Sequence, residues 1–335
     1  GELKKLKDEK NKAIGVFSKL IVDFLTTKLI ENTRFELKRF KQVNNIENSD
    51  DFYKNKSKIF DNKVIENLVS FPEQVKNADK DEKEKVRAWV VRYLKEAYDI
   101  EEEDFLSAEL EIVPSGKSRD CGFDRSMILG YGQDDKVCAL TSLFAMLEAE
   151  NPERTGCCIL ADKEEIGNMG ATGMQSSFFE DMVAEVLALT GEDSPVKVRR
   201  VLRNSCMLSS DVSAAYDPLY PEVFEKKNTA YFGRGLVLNK YTGSRGKNGT
   251  SDANAEYVAK VRNVFDNNHV AFQTAELGKV DVGGGGTIAY IAALYGMNVI
   301  DSGVAVLSMH APWEVTSKAD IYEAKKAYKA FLLDA

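Results

Sequence analysis

Gly156-Cys-Cys-Ile-Leu-Ala-Asp-Lys-Glu-Glu-Ile-Gly-Asn168 decides how the chain is read. Its apolar opening predicts a buried strand over 156–160, and residues 178–189 downstream carry the apolar spacing of a helix. Between them lies a loop of small residues, 167–177. Glu164 and Glu165 therefore fall at the carboxyl end of a strand in an α/β pattern, where open sheets place their ligands. In extended chain, neighbouring side chains point in different directions. One carboxylate is then free to hold a metal while its neighbour faces an attacking water, the division of labour that metal-assisted hydrolysis needs.

Outward from this stretch the alternation continues. A helical stripe of Val137, Leu140, Leu143, Phe144 and Leu147 precedes it. After it come a strand within 196–207, a strand over 235–239, a Gly-rich loop at 243–249 and a helix over 252–265. A glycine run at 282–287, a helix over 288–295, strands within 298–307 and a closing helix over 318–332 complete the pattern. Upstream, Val86, Trp89, Val90, Tyr93, Leu94 and Ala97 predict a helix over 82–98. Residues 101–104 read as a solvated acidic turn, and 106–113 alternate like a strand. Residues 1–80 are rich in Lys, Asn, Asp and Glu with poor periodicity; 17–25 and 35–43 read as strands or short helices. The fold class read from this pattern is α/β.

Bulk properties exclude several classes. The 335 residues carry a net charge of −8 and are 44% hydrophobic, so the overall field favours neither nucleic acid nor an anionic membrane. No apolar run approaches the ~20 residues of a membrane span. The charged start, Gly1-Glu-Leu-Lys-Lys, lacks the apolar core of a signal peptide; either none exists or a leader has been removed. Cys121, Cys138, Cys157, Cys158 and Cys206 lack metal-ligand spacing and read as reduced core residues of a cytoplasmic protein.

Polar residues stand where strands hand over to loops or helices: Asp134 and Asp135, Glu164 and Glu165, Asp211, and His310. Taken singly each has a plain reading, as helix cap, solvated pair, turn residue or structural histidine. Together they point to one cleft with oxygen and imidazole ligands suited to zinc, manganese or cobalt. Two metals about 3.5–4 Å apart, bridged by a carboxylate, would hold a nucleophilic water and a substrate carbonyl together.

These segments resemble the aspartyl aminopeptidase and aminopeptidase I family of dinuclear zinc peptidases. Asp162-Lys-Glu-Glu-Ile-Gly-Asn168 is similar to its signature, and Gly130-Tyr-Gly-Gln-Asp-Asp-Lys-Val-Cys138 to the segment of its bridging aspartate. Ser210-Asp-Val-Ser-Ala-Ala-Tyr-Asp-Pro218 is similar to its aspartate-ligand segment. Gly283-Gly-Gly-Gly-Thr-Ile-Ala289 and Leu307-Ser-Met-His-Ala-Pro-Trp-Glu314 are similar to its closing motifs. The matches run in family order over roughly residues 80–335.

The resemblance implies a metal-dependent aminopeptidase that hydrolyses the N-terminal peptide bond of peptides. It implies two zinc ions per site, with cobalt or manganese as substitutes. Asp134 would bridge both metals, Glu165 and Asp211 would each bind one, and His310 would be a terminal ligand. Glu164 would be the general base that moves a proton from the metal-bound water to the leaving amine. It also implies an α/β fold with a mixed central sheet flanked by helices and an inserted smaller dimerisation domain: residues 1–30 and 131–335 fall to the catalytic domain and 31–130 to the insertion. A homo-oligomer follows, the large form being a dodecamer built from dimers. The loop 240–247 either approaches substrate, through Lys240 or Arg245, or is a solvated loop. The glycine run either closes on substrate or a strand, or is a plain turn, and Trp313 either lines the pocket or packs.

The sequence departs from the family pattern at two places. The first family ligand is a histidine in a His-x-Asp motif upstream of the insertion, whereas this sequence holds only His269 and His310. Ala214 stands where a histidine often follows the aspartate ligand. Two explanations for the first departure stand: a catalytically inactive scaffold or assembly relative, or a sequence from which stretches of the protein are absent. The ragged texture of residues 1–80 favours the second.

Overall fold

The computed structural model describes residues 85–335 apart from 110, 112, 193, 246, 247 and 280. The expected elements at 17–25 and 35–43 lie outside the described residues. The chain divides into two compact units, Gly1–Gly116 and Lys117–Ala335.

In the first unit, helix α1 (Lys85–Tyr98) buries Trp89 and Tyr93. They are four positions apart and so share a face; their rings stack at 5.3 Å. Val86 and Val90 are exposed, so the buried face is narrower than the spacing predicts. The acidic run forms an exposed 3₁₀ turn (Glu102–Leu106), whose entry is fixed by the Glu101 N–H donating to Asp104 Oδ2 at 2.8 Å. The strand expected over 106–113 is not found among the described residues, which pair with no ladder.

The second unit is a mixed α/β assembly. In chain order its elements are β1 (Arg119–Cys121), β2 (Met127–Gly130), α2 (Gln133–Glu148), α3 (Phe178–Leu189), α4 (Pro195–Arg203), β3 (Cys206–Ser209) and β4 (Ser213–Ala214). There follow β5 (Leu236–Asn239), β6 (Tyr241–Ser244), β7 (Asn248–Asp252), α5 (Ala255–Asn267) and β8 (Phe272–Thr274). The last are α6 (Ala289–Leu294), β9 (Asn298–Gly303), β10 (Ala305–Leu307), β11 (Glu314–Ser317) and α7 (Lys318–Asp334). One sheet has the order β1-β2-β11-β10-β4, antiparallel except for the β10–β4 pair. The other, β3-β9-β5-β8, is parallel at both edges and antiparallel between β5 and β9. Strands β6 and β7 form a hairpin that takes up the Gly-rich loop.

Because strand side chains alternate between faces, β9 serves two cores. Ile300 joins Tyr257, Val261 and Phe265 of α5 and Ala324 and Ala327 of α7. Val299 joins Phe179 of α3, Leu202 of α4 and Ile291 of α6. Helices thus cover both faces of the second sheet. A fully buried side chain such as Phe265 contributes about 1.5–3 kcal/mol. The helix starts are chemically marked: Asn254 accepts from Tyr257 N–H at α5, and Ser317 from Asp320 N–H at α7.

Three further expectations are corrected. Residues 156–160 form no strand; they join no ladder, and Cys157 and Leu160 are exposed. An apolar run becomes a strand only where a partner offers backbone groups, and no described strand pairs with it. In α2 the buried stripe is Cys138, Thr141 and Ala145, whereas Leu140, Phe144 and Leu147 are about half exposed. This face packs against α7, whose buried residues include Ala324 and Ala327, and close helix approach selects small side chains on both partners. Of the cysteines only Cys138 is buried; all five are free thiols. No described helix is long and apolar enough to cross a membrane.

Candidate metal centre

Asp134 and Asp135 open α2 immediately after β2 ends at Gly130. Both have non-helical backbone angles, so neither acts as an ordinary first-turn residue. Asp211 lies between β3 and β4, and His310 follows β10 in a loop where its backbone is left-handed, φ 64°. Glu164 and Glu165 occupy a 3₁₀ turn, Glu164–Ile166, flanked by left-handed Lys163 and Gly167. The two glutamates diverge for a different reason from the extended chain predicted: successive residues of a 3₁₀ turn project about 120° apart.

The structure brings all six residues to one place. His310 Nε2 lies 3.0 Å from Asp134 Oδ2 and 3.4 Å from Glu165 Oε1. Ligand atoms of Asp134, Glu165 and His310 all fall within 4.8 Å of one another, as do those of Asp134, Asp135 and Asp211. Asp134 belongs to both groups. Glu164 belongs to neither, yet its charge bears on Asp135 and Asp211. The His310 and Glu165 side chains are open to solvent while Asp134 is nearly enclosed, so the cleft is accessible from the His310 side.

Crowded carboxylates resist ionisation here. Burial, followed by the charge of Glu165, pushes Asp134 up to about 6, against a pull downward from His310. Burial pushes Asp135 up to about 8, and a hydrogen bond from Cys138 opposes it. Asp211 rises well above the carboxylate range through burial and the charges of Asp135 and Asp134. Glu164 rises through burial and the charge of Glu165. A dication among them reverses this by stabilising every ionised form. Asp135 Oδ1 is buried without a hydrogen-bond partner, and a donor set of carboxylate oxygens with one imidazole nitrogen suits zinc. The residues present fit the metal.

Sequence reasoning missed two buried acids beside this cluster. Glu314, the first residue of β11, is 2% exposed. Its Oε2 accepts the Asp134 N–H at 3.0 Å and its Oε1 accepts the His310 N–H at 2.9 Å. Asp301 in β9 accepts hydroxyl hydrogen bonds from Thr242 at 2.9 Å and Thr287 at 2.6 Å, tying the hairpin and the glycine run to the sheet. The available signal was an acid standing within a strand pattern, which a folded protein retains only if its oxygens are satisfied.

Among the other residues weighed from the sequence, Lys240 is ion-paired with Asp252, and the Arg245 N–H donates to Gly283 O at 2.9 Å. Gly284 has φ +91°, and a Cβ there would fall 2.6 Å from Gly243 O. The glycine run is thus a place where two backbones meet. Trp313 lies under the Arg119 guanidinium, 4.8 Å from ring centroid to Cζ. His269 sits in a turn after α5, its carbonyl accepting from Lys326.

Comparison with known proteins matches residues 47–332 to a family described as aminopeptidase I zinc metalloprotease (M18). A probable M18 family aminopeptidase 1 of Clostridium acetobutylicum is 58% identical over 284 residues, 85% of this chain and 60% of the relative. The crystal structure of aminopeptidase I from Clostridium acetobutylicum aligns with TM-score 0.71 at 62% identity, covering 76% of this chain and 55% of that one. The crystal structure of an M18 family aminopeptidase from Thermotoga maritima aligns with TM-score 0.73 at 45% identity, covering 77% and 57%. The chain therefore spans somewhat more than half the length of the relatives it matches.

Proposed function

The chain belongs to the aminopeptidase I zinc metalloprotease (M18) family, and we propose that it carries the chemical centre of a zinc-dependent aminopeptidase acting on the N-terminal peptide bond of peptides. The observation that carries this reading is the membership of Asp134 in two separate ligand groups, one with Glu165 and His310, the other with Asp135 and Asp211. A carboxylate so placed is suited to bridge two ions. Glu165 and His310 would complete one ion's protein ligands and Asp211 the other's. Zinc, when bound, supplies Lewis-acid polarisation of the scissile carbonyl and acidifies water.

Glu164 is the general base in this reading. It stands beside both groups without joining either, and its raised pKa brings it nearer the range in which a carboxylate both accepts and returns a proton. A carboxylate oxygen of Glu164 would take the proton from water and deliver it to the leaving amine. Asp301, through Thr242 and Thr287, would hold the hairpin and the glycine run against the sheet. Residues 131–335 would form the catalytic domain with 1–30, and 31–130 an inserted dimerisation domain; a cytoplasmic homo-oligomer is part of the same proposal. The match to the aminopeptidase I zinc metalloprotease family and to a probable M18 aminopeptidase at 58% identity supports an enzyme over a scaffold.

The test is peptide hydrolysis before and after chelation. Activity is expected to vanish with a chelator and return with zinc, cobalt or manganese. Peptidase activity indifferent to thorough chelation refutes the reading.

A further inference from the structure

We propose that Glu314 is a positioning residue that sets the spacing between Asp134 and His310 before any metal arrives. The assignment rests on the metal reading above, and deepens it. Asp134 and His310 come from different elements, the start of α2 and the loop after β10. Their side-chain atoms meet at 3.0 Å, yet no backbone hydrogen bond joins the two residues directly. What joins them is one carboxylate: Glu314 Oε2 accepts from Asp134 N–H, 180 positions away in sequence, and Oε1 accepts from His310 N–H. A single planar group thus brackets both ligand-bearing backbones.

The bracket is itself anchored. Glu314 is nearly inaccessible, and its main chain is held in β11 opposite Gly130 of β2. Gln133 Nε2 donates to the Glu314 carbonyl at 2.5 Å and to Ile128 O at 3.2 Å. Gln133 is oriented in turn by the Thr316 hydroxyl, which donates to Gln133 Oε1. The side chain therefore has little freedom to follow a shifted ligand; the ligands must conform to it.

Two features specify a carboxylate. Both of its oxygens face N–H donors. The amide of a glutamine, though of the same shape, would turn an NH₂ group against one of them and replace attraction by repulsion. His310 is also left-handed, φ 64°, a conformation that costs an L-residue free energy and persists only where its surroundings impose it. The hydrogen bond to Glu314 acts on the backbone N–H of that residue.

The experiment uses the full-length protein with Glu314→Gln and Glu314→Ala. Zinc affinity is measured by competition with a chromophoric chelator, the visible spectrum is recorded after cobalt(II) substitution, and the metal-free proteins are melted. The variants are expected to bind zinc about 10- to 100-fold more weakly and to give a cobalt spectrum shifted from that of the wild type. kcat falls while KM changes little. Zinc affinity and cobalt spectrum unchanged in Glu314→Gln overturn the assignment. Should both variants lack a cooperative melt, Thr316→Val carries the test, since it removes only the hydroxyl that orients Gln133. Weaker zinc binding supports the bracket, and wild-type affinity overturns it. A wild-type protein that takes up no zinc sinks the metal reading and this assignment with it; normal wild-type uptake with unaltered variants sinks this assignment alone.

Discussion

Replacing Gly303 by alanine tests whether the second sheet fixes the position of Asp211. Gly303 closes β9 opposite Val237 of β5. A Cβ added there would lie 1.6 Å from the Asp211 carbonyl oxygen and 2.5 Å from its carbon, where ordinary contact begins at 3.4 Å. The shortfall to the oxygen is about 1.8 Å, and the obstructing atoms are main chain, so no side-chain rotation relieves it. Either the end of β9 or the peptide of Asp211 must move on the order of 1 Å. Overpacking of this kind costs about 1–3 kcal/mol, occasionally more, and a misplacement of about 1 Å at a reacting centre costs about 100-fold in rate. Denaturant unfolding of the chelated protein should show a loss of about 1–3 kcal/mol. Zinc titration should show the Asp211 ion weakened with the Glu165 and His310 ion retained, and kcat should fall about 100-fold. An alanine variant with wild-type stability and full zinc loading would refute the argument that this close approach positions Asp211.

Glu164→Gln should lower kcat by about 100- to 10,000-fold with zinc content unchanged on elemental analysis; near-normal turnover would remove Glu164 from its role. Asp211→Asn should lower zinc stoichiometry from two ions to one, read by calorimetry, and retention of both would place the second ion elsewhere. Stability should depend on pH in a defined direction. Asp134 and Asp135 titrate in the folded protein at about 6 and about 8, above their ordinary 3.8, so folding favours their neutral forms. That contribution is present below about pH 4 and is lost as pH rises through about 6 and then about 8. The metal-free melting temperature should fall across this window, and the increase produced by zinc should grow with pH. A zinc-induced increase that shrinks from about pH 5 to about pH 8 contradicts the assignment.

Much of the fold was legible because it rests on local periodicity. The 178–189 helix begins and ends as its apolar spacing predicts, and the closing helix and β5 lie where expected. The candidate site residues were legible by position, since Asp134, Asp211 and His310 do follow strands. What the sequence hid depends on partners. Residues 156–160 have strand composition, but composition supplies no neighbour to pair with. In α2, large apolar residues predicted the buried face, whereas packing against α7 placed Cys138, Thr141 and Ala145 inside. Glu314 was illegible for the same reason: a charged residue after Trp313 reads as surface until two distant N–H groups are seen to converge on it.

That one carboxylate serves both ligand groups has a consequence for how the protein would respond to zinc supply. In the proposed two-ion centre the sites would not fill as independent compartments. Whatever the first ion does to the second ion's affinity, the second must do to the first by the same factor. Charge neutralisation by the first ion favours the second, and repulsion between dications opposes it. Occupancy would then climb a two-rung ladder, and a half-loaded population would be a distinct chemical species. Reconstitution with two different metals in sequence would depend on the order of addition if exchange is slow, giving hybrid centres from one polypeptide.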